Sequence, residues 1–449
     1  MMSKSKKKYS LLHLIMIFFK KAFYKLFLIA ARSENKIIEK KEKKEKNKEQ
    51  KKLKKEKILA EKKEKKQIEL QKKNEKREKK RQYSYIKNLA KSKKYKYVFV
   101  FYPYIDWNIP IFQRPQQIAL SMTQNRNDIL YLFCTSNPFM DNLDGLYKKI
   151  NDNLYIISDY EYLCNLKIKN RVMHFYSTDM FSKYTDIENS LKRKDKVLYE
   201  YIDEITESIT GEYLEGYVEK HNRILKNDDI YIVATADRLY NKVKGYRNSK
   251  LVLSTNGVHV KDFDKLETFV PDDLKEIKEK YDKVICYYGS FAVWFDYKLV
   301  DKCAKKYPNY AFLLIGYEYD SSLRESNILD NKNIYYIGKR PYNELVNYTK
   351  NVDLLTIPFL INDITNSTSP VKLFEYMAVK KPIITTAMPE CKKYKSVVIG
   401  DNHDDFIKKI ESTIELNNDE DYLIQEYNEA LENSWDKKAN IIIDLLDNN

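Results

Sequence analysis

Apolar and polar positions divide the chain into three stretches. Residues 11–31 are apolar apart from His13, Lys20, Lys21, Tyr24 and Lys25. From Ser33 to about Arg81 the sequence is almost wholly Lys, Glu, Gln and Asn, and its few apolar residues (Ile37, Leu53, Ile58, Leu59, Ile68, Leu70) are too sparse for a sustained heptad seam. At Lys96-Tyr-Val-Phe-Val-Phe-Tyr-Pro103 a buried-strand pattern starts, and strand-like and helix-like segments then alternate. The first series predicts strands near 128–133, 154–158, 171–175, 196–199, 229–234 and 251–254, with helices near 114–123, 212–225 and 236–243. After Phe263 a polar stretch and a helix near 271–281 lead to a second series. Its strands fall near 284–288, 311–316, 334–338, 354–358, 382–385 and 397–399, and its helices near 296–307, 341–349, 370–377 and 404–415. Residues 420–446 read as helical and able to pack back across both series. Such alternation predicts an α/β fold of two Rossmann-like doubly wound domains facing a cleft at the strand C-termini. The expected divisions are 1–32, 33–92, 93–265, 266–418 and 419–449.

Charge sharpens this division. The net charge is +16, yet residues 1–100 hold 36 Lys+Arg against 11 Asp+Glu, so the remainder is acidic. A nucleic-acid enzyme carries its basic surface on the folded body, so no nucleic-acid partner is expected. Residues 1–19 begin like a signal peptide, but Lys20-Lys21 interrupts without a small-residue cleavage site. Lysines near the middle of 11–31, at roughly +3 kcal/mol each, disfavour a membrane span. A basic amphipathic segment 1–32 lying on an anionic membrane surface is the better solution, with Phe18, Phe19, Phe23 and Phe27 sunk and the lysines snorkelling. Pairs such as Glu39/Lys43 and Glu61/Lys65 favour helix in 33–92, read as a helical or disordered spacer of up to roughly 75 Å. Cys134, Cys164, Cys286, Cys303 and Cys391 lack paired or metal-type spacing, which fits a reducing cytoplasm, and the five histidines form no zinc-type pair. The expected location is therefore cytoplasmic, peripheral at the inner face of the cell membrane.

Chemistry concentrates in Asn366–Thr385. Ser367, Thr368 and Ser369 are cap-type residues, Pro370 suits a helix start, and Pro382 ends the helix before a buried Ile383-Ile384. A helix N-terminus with Lys372 beside it favours phosphate, and Glu375 one turn in can accept hydrogen bonds from hydroxyls. Phosphate plus hydroxyls points to a nucleotide sugar.

Tyr288-Gly-Ser290, Trp294-Phe-Asp296, Leu313-Leu-Ile-Gly316, Tyr336-Ile-Gly-Lys-Arg-Pro-Tyr342, Pro358-Phe359 and Ser369-Pro-Val-Lys-Leu-Phe-Glu-Tyr-Met-Ala-Val-Lys-Lys-Pro-Ile-Ile384 together resemble the nucleotide-sugar half of a group 1 glycosyltransferase with the GT-B fold. Phe112-Gln-Arg-Pro-Gln-Gln-Ile-Ala119, Tyr199-Glu-Tyr-Ile-Asp203, Ala234-Thr-Ala-Asp-Arg-Leu-Tyr240 and Thr255-Asn-Gly-Val258 resemble the subset related to teichuronic acid glycosyltransferases. The resemblance runs from about residue 96 to Trp435. It implies transfer of a sugar from a UDP-linked nucleoside diphosphate donor to a lipid-linked or cell-surface glycan precursor. On that reading Lys339, Arg340 and Lys372 neutralise the leaving diphosphate. Gly289, Ser290, Ser367, Thr368, Ser369 and Glu375 bind the donor, with Glu375 on the ribose. Ser367 stands where many members carry a second glutamate, which implies a shifted donor preference. Candidates on the acceptor side are Asp106, Trp107 (stacking on a sugar face), Arg114, Gln116, His174 and Asp203. No metal or other cofactor is expected, and the resemblance requires no protein general base. A catalytically silent GT-B protein binding nucleotide or glycan, or a membrane-tethered scaffold, is the alternative.

Overall fold

The computed structural model describes residues 5–109, 112–206, 214–264 and 268–448, which fall into two compact units, Met1–Arg81 and Gln82–Asn449. The first unit consists of one helix, α1 (Ser5–Ala90, 86 residues), which continues into the second. At ~1.5 Å per residue this is roughly 130 Å of helix. The spacer is thus helical, since no Gly or Pro interrupts it. Phe18, Phe19, Phe23 and Phe27 are exposed along it, and no helix among the described residues is long and apolar enough to cross a membrane. Lys4 of the expected basic cluster lies outside the described residues.

The second unit begins at Gln82, earlier than the expected boundary at 93. Tyr83, Tyr85, Ile86 and Ala90 interrupt the charged run and dock the end of α1: Ile86 and Ala90 are buried, and the Tyr83 hydroxyl donates to Asp159 at 2.6 Å. The first sheet comprises β1 (Tyr97–Phe101), β2 (Ile129–Cys134), β3 (Tyr147–Asn151), β4 (Leu154–Ile157), β5 (Arg171–Tyr176), β6 (Lys196–Tyr201), β7 (Ile230–Ala234) and β8 (Leu251–Leu253), in the order β3-β4-β2-β1-β5-β6-β7-β8. All neighbours are parallel except β3 and β4. The polar, half-buried Tyr-Lys-Lys-Ile-Asn of β3 lacks a strand signature and was not among the expected strands. The helices Tyr160–Asn165 and Tyr184–Lys192 are likewise additional. The expected helix at 212–225 is Leu214–Leu225, its first two residues lying outside the described residues, as does the expected domain boundary at 265/266.

The second sheet is wholly parallel: β9 (Lys283–Tyr288), β10 (Tyr310–Ile315), β11 (Ile334–Tyr336), β12 (Leu354–Ile357), β13 (Ile383–Thr386) and β14 (Val397–Gly400), ordered β11-β10-β9-β12-β13-β14. Helices cover both faces, so these strands read as continuous apolar runs. Strand order reverses direction at β1/β5 and at β9/β12, the positions where doubly wound sheets open a crevice at their C-terminal edges. Three further helices frame that crevice: α2 (Arg114–Asn125) after β1, α3 (Asp237–Lys244) after β7, and α4 (Val371–Val379) after β12. The chain passes between the halves at Asn256-Gly257 and returns near Asn433, where Val258 and Trp435 exchange backbone hydrogen bonds with Asn433 and Val258. Consequently α5 (Glu420–Glu432) packs on α4, while α6 (Trp435–Asp447) packs on α2 and buries Trp435, Ile442 and Ile443 in the first half's core.

Candidate functional site

The start of α4 is bare of side-chain caps. Pro370 occupies the N-cap itself, and the cap-type residues before it are used elsewhere. The Thr368 hydroxyl donates to the Ile364 carbonyl at 2.8 Å. Ser369 accepts from Asn256, through Oγ from the backbone N–H at 3.2 Å and through its carbonyl from Nδ2 at 2.7 Å. Ser367 Oγ is fully buried without a partner. The expectation that these residues cap the helix is therefore corrected, and the end of α4 keeps its unsatisfied N–H groups and positive dipole for an anion.

Lys372 and Glu375 lie one turn apart on α4, the lysine half-buried and the glutamate buried, and are not paired with each other. The Lys372 ammonium stands 4.9 Å from the Phe359 ring centroid and 5.4 Å from that of Tyr287. Burial lowers it to about 8 despite the pull of Glu375. Gly289 makes room for its tail: a Cβ there would come within 2.6 Å of Lys372 Cε and 2.7 Å of the Tyr287 hydroxyl, at a φ of +149°. Gly289 thus serves Lys372 directly. Burial raises Glu375 to about 7, against the opposing hydrogen bond from Tyr288 and the Lys372 charge. The Tyr342 hydroxyl and the Gln117 side-chain amide on α2 are buried beside it.

Among the other donor-side expectations, Ser290 is half-buried at the end of β9 and its carbonyl accepts from Tyr287. Lys339 is exposed. Arg340 departs from its expected role: its guanidinium is held by Asp273 at 2.8 Å, by the Tyr348 hydroxyl at 3.0 Å and by the Ile337 carbonyl. An arginine spent on three local partners is not free to meet a diphosphate.

Most acceptor-side expectations turn out to be framework. Trp107 is buried against Phe112 and Phe133, with no face open to a sugar. Asp106 accepts from Thr135, Ser136 and Asn137, which ties two loops together, and Gln116 donates to the Asp106 carbonyl at 3.0 Å. Both nitrogens of the fully buried His174 are engaged, Nδ1 with the Tyr131 hydroxyl at 2.7 Å and Nε2 with Glu200 at 2.9 Å. Arg114 is a link between halves: Nε meets Glu200, and Nη1 reaches the Thr255 carbonyl at 2.9 Å and Asn256 Oδ1 at 3.3 Å. Asp203, half-buried at the end of β6, is pushed up to about 6 by burial. Among the described residues no cluster of His, Cys, Asp or Glu gathers in a metal-type group.

Tyr288, Asn256 and Glu200 fall inside the motifs that carry the resemblance, but sequence reasoning assigned none of them a role of its own. For Glu200 a signal existed: an acid within the otherwise apolar run Lys196–Tyr201 has to find buried partners. Burial works to raise its carboxyl, and the Arg114 charge and the His174 bond outweigh it, holding Glu200 at about 2. A chain Glu200–Arg114–Asn256–Ser369 thereby runs from the first half's core to the start of α4.

Residues 282–415 match the family model of group 1 glycosyl transferases. TuaH of Bacillus subtilis (strain 168), named for teichuronic acid biosynthesis, is 25% identical over 267 residues, 55% of this chain and 66% of that protein, so the alignment spans just under two thirds of the relative. Sucrose-phosphate synthase from Thermosynechococcus elongatus superposes with a TM-score of 0.57 at 12% identity, over 78% of this chain and 98% of that one. Anabaena Alr3699/HepE in complex with UDP gives 0.57 at 10%, over 79% and 100%. The group 1 glycosyl transferase match thus falls on the half that carries β9–β14 and α4, and the two sheets have the GT-B fold.

Proposed function

We propose that the protein transfers a sugar from a UDP-linked donor to a lipid-linked or cell-surface glycan precursor at the cytoplasmic face of a membrane, held there through residues 1–32. The observation that carries this reading is the buried, uncapped start of α4 with Lys372 and Glu375 one turn apart, within the group 1 domain. The helix end and Lys372 take the diphosphate, where negative charge grows as the glycosidic bond to the donor breaks. Glu375 accepts from ribose hydroxyls once ionised. Ser367, fully buried, puts no charge where many relatives carry an acid, which selects a donor distinct from theirs. The relative HepE, solved with UDP, supports the choice of nucleotide. The basic groups and helix dipole serve in place of a metal, so transfer is expected to persist in EDTA. A thermal-shift screen of nucleotide sugars tests the reading: a UDP-sugar raises the melting temperature by several degrees through linkage, and a screen in which none does so overturns it.

A further inference from the structure

Five apolar or aromatic side chains stand together on the second sheet: Val293 and Trp294 on the loop after β9, Tyr319 on the loop after β10, and Leu360 and Ile361 on the loop after β12. Strands β10, β9 and β12 are parallel neighbours, so the three loops share one C-terminal edge. Trp294 is half-buried and the other four are exposed, Tyr319 the most at 59%. The Tyr319 ring lies 5.5 Å from that of Trp294, tilted by 45°. Neither the Trp294 indole N–H nor the Tyr319 hydroxyl has a hydrogen-bond partner among the described residues.

Backbone hydrogen bonds lock these loops to one another. Leu360 donates to the Trp294 carbonyl at 2.8 Å, Asp296 to the Pro358 carbonyl at 2.8 Å, and Tyr319 to the Phe291 carbonyl at 2.9 Å. Asp320 accepts from the N–H groups of Val293 at 3.1 Å and Ser322 at 2.9 Å. The other charges of the loops are engaged as well, Asp296 with His403 at 2.8 Å, Glu318 with Arg324 at 2.7 Å and Asp363 with Arg238 at 2.8 Å. The patch is thus braced, aromatic at its centre and without a free charge, which suits a neutral ligand. Phe359 sets it apart from the nucleotide grip: its buried ring stands 4.9 Å from the Lys372 ammonium, and the next residue, Leu360, is already on the patch.

We propose that Tyr319 and Trp294 carry a sugar ring of the acceptor, so that the acceptor is a saccharide held in part by the donor half. The aromatic rings offer an apolar face to the C–H face of a pyranose, while the indole N–H and the phenol hydroxyl reach its hydroxyls. A bare lipid phosphate would instead call for a cation, and these loops leave none free. Phe359 keeps the patch one side chain away from the place of the diphosphate, which assigns the ring to the acceptor rather than to the nucleotide end of the donor. That the ring belongs to an acceptor rests on the sugar transfer proposed above; that a neutral ring is bound here rests on the patch itself.

Trp294 reports on the patch directly, because Trp107 and Trp435 are buried; Trp294→Phe identifies its share of the emission. Maltotriose, cellotriose and chitotriose are titrated in the millimolar range into the full-length chain, with and without UDP. At least one of them is expected to shift the Trp294 emission and shield it from acrylamide. Tyr319→Ala is expected to raise the half-saturating concentration about 3–10-fold, the scale of one aromatic contact, whereas Tyr319→Phe keeps the ring and most of the affinity. Shielding by none of the three saccharides overturns the proposal. So does shielding by UDP-glucose alone, which reassigns the patch to the donor sugar. UDP-glucose thermal shifts on the same variants report the donor site separately: shielding by a saccharide in a chain that no UDP-sugar stabilises keeps the sugar platform and overturns its assignment to an acceptor.

Discussion

Glu200 and Glu375 are both buried glutamates, one in each half of the GT-B body, and their surroundings drive them in opposite directions. Glu200 accepts from Arg114, His174 and the Tyr176 hydroxyl and is held at about 2. Glu375 has the Tyr288 hydroxyl and no ion pair, and is raised to about 7. A carboxylate whose lone pairs are all answered within the protein is part of the framework. One raised by burial, beside a bare helix start and an unpaired lysine, has the surroundings of a ligand site. The difference separates structure from function without reference to either residue's position in the chain.

The largest effect that tests this contrast is on stability. Glu200→Ala strands Arg114 as a buried unpaired charge and is expected to cost about 3–5 kcal/mol, read as a lowered urea midpoint. Glu375→Ala removes no paired charge. It is expected to leave the urea midpoint unchanged at pH 5 and to raise it above pH 7, while weakening UDP-glucose binding by about 10–100-fold, the scale of a lost hydrogen bond to a charged group. Calorimetry reads that loss, and an unchanged affinity removes Glu375 from the site.

Changing pH sharpens the comparison further. Glu200 lies below its unfolded value of 4.5, so its stabilisation is full above 4.5 and is lost as pH falls toward about 2. Glu375 lies above 4.5, so its contribution is present below 4.5 and is lost as pH rises through about 7. Glu375→Gln is therefore expected to flatten the decline in melting temperature between these values. UDP-glucose affinity is expected to rise as Glu375 ionises near pH 7 and to fall above about 8 as Lys372 loses its proton, giving a narrow bell whose acid limb disappears in Glu375→Gln. The smallest effect is expected at the crevice rim. Arg238 on α3 meets Asp363 at 2.8 Å across the halves, but both are largely exposed, and Arg238→Ala should cost only about 0.2–1 kcal/mol in urea unfolding.

The parallel strands and their order of appearance were legible because each is a short apolar run bounded by polar turns, and the α4 region was legible because Pro370, Lys372 and Glu375 sit at a helix start. The acceptor side was not. Trp107 and His174 have the chemistry of binding residues, and only tertiary packing shows that the Trp107 faces and both His174 nitrogens are already taken. Arg340 misled for the same reason, since its partner Asp273 lies 67 positions away in sequence. The start of the folded body was misplaced because Tyr83, Tyr85 and Ile86 interrupt a charged helix without breaking it.

The crossing of α6 back onto the first sheet bears on how the chain is made. The β1–β8 half emerges from the ribosome first, but the face covered by Trp435, Ile442 and Ile443 stays open until the whole second sheet has been synthesised. The first half to be translated is thus the last to be sealed. A nascent chain halted before Trp435 would present sticky apolar surface around α2, beginning beside its own truncated end.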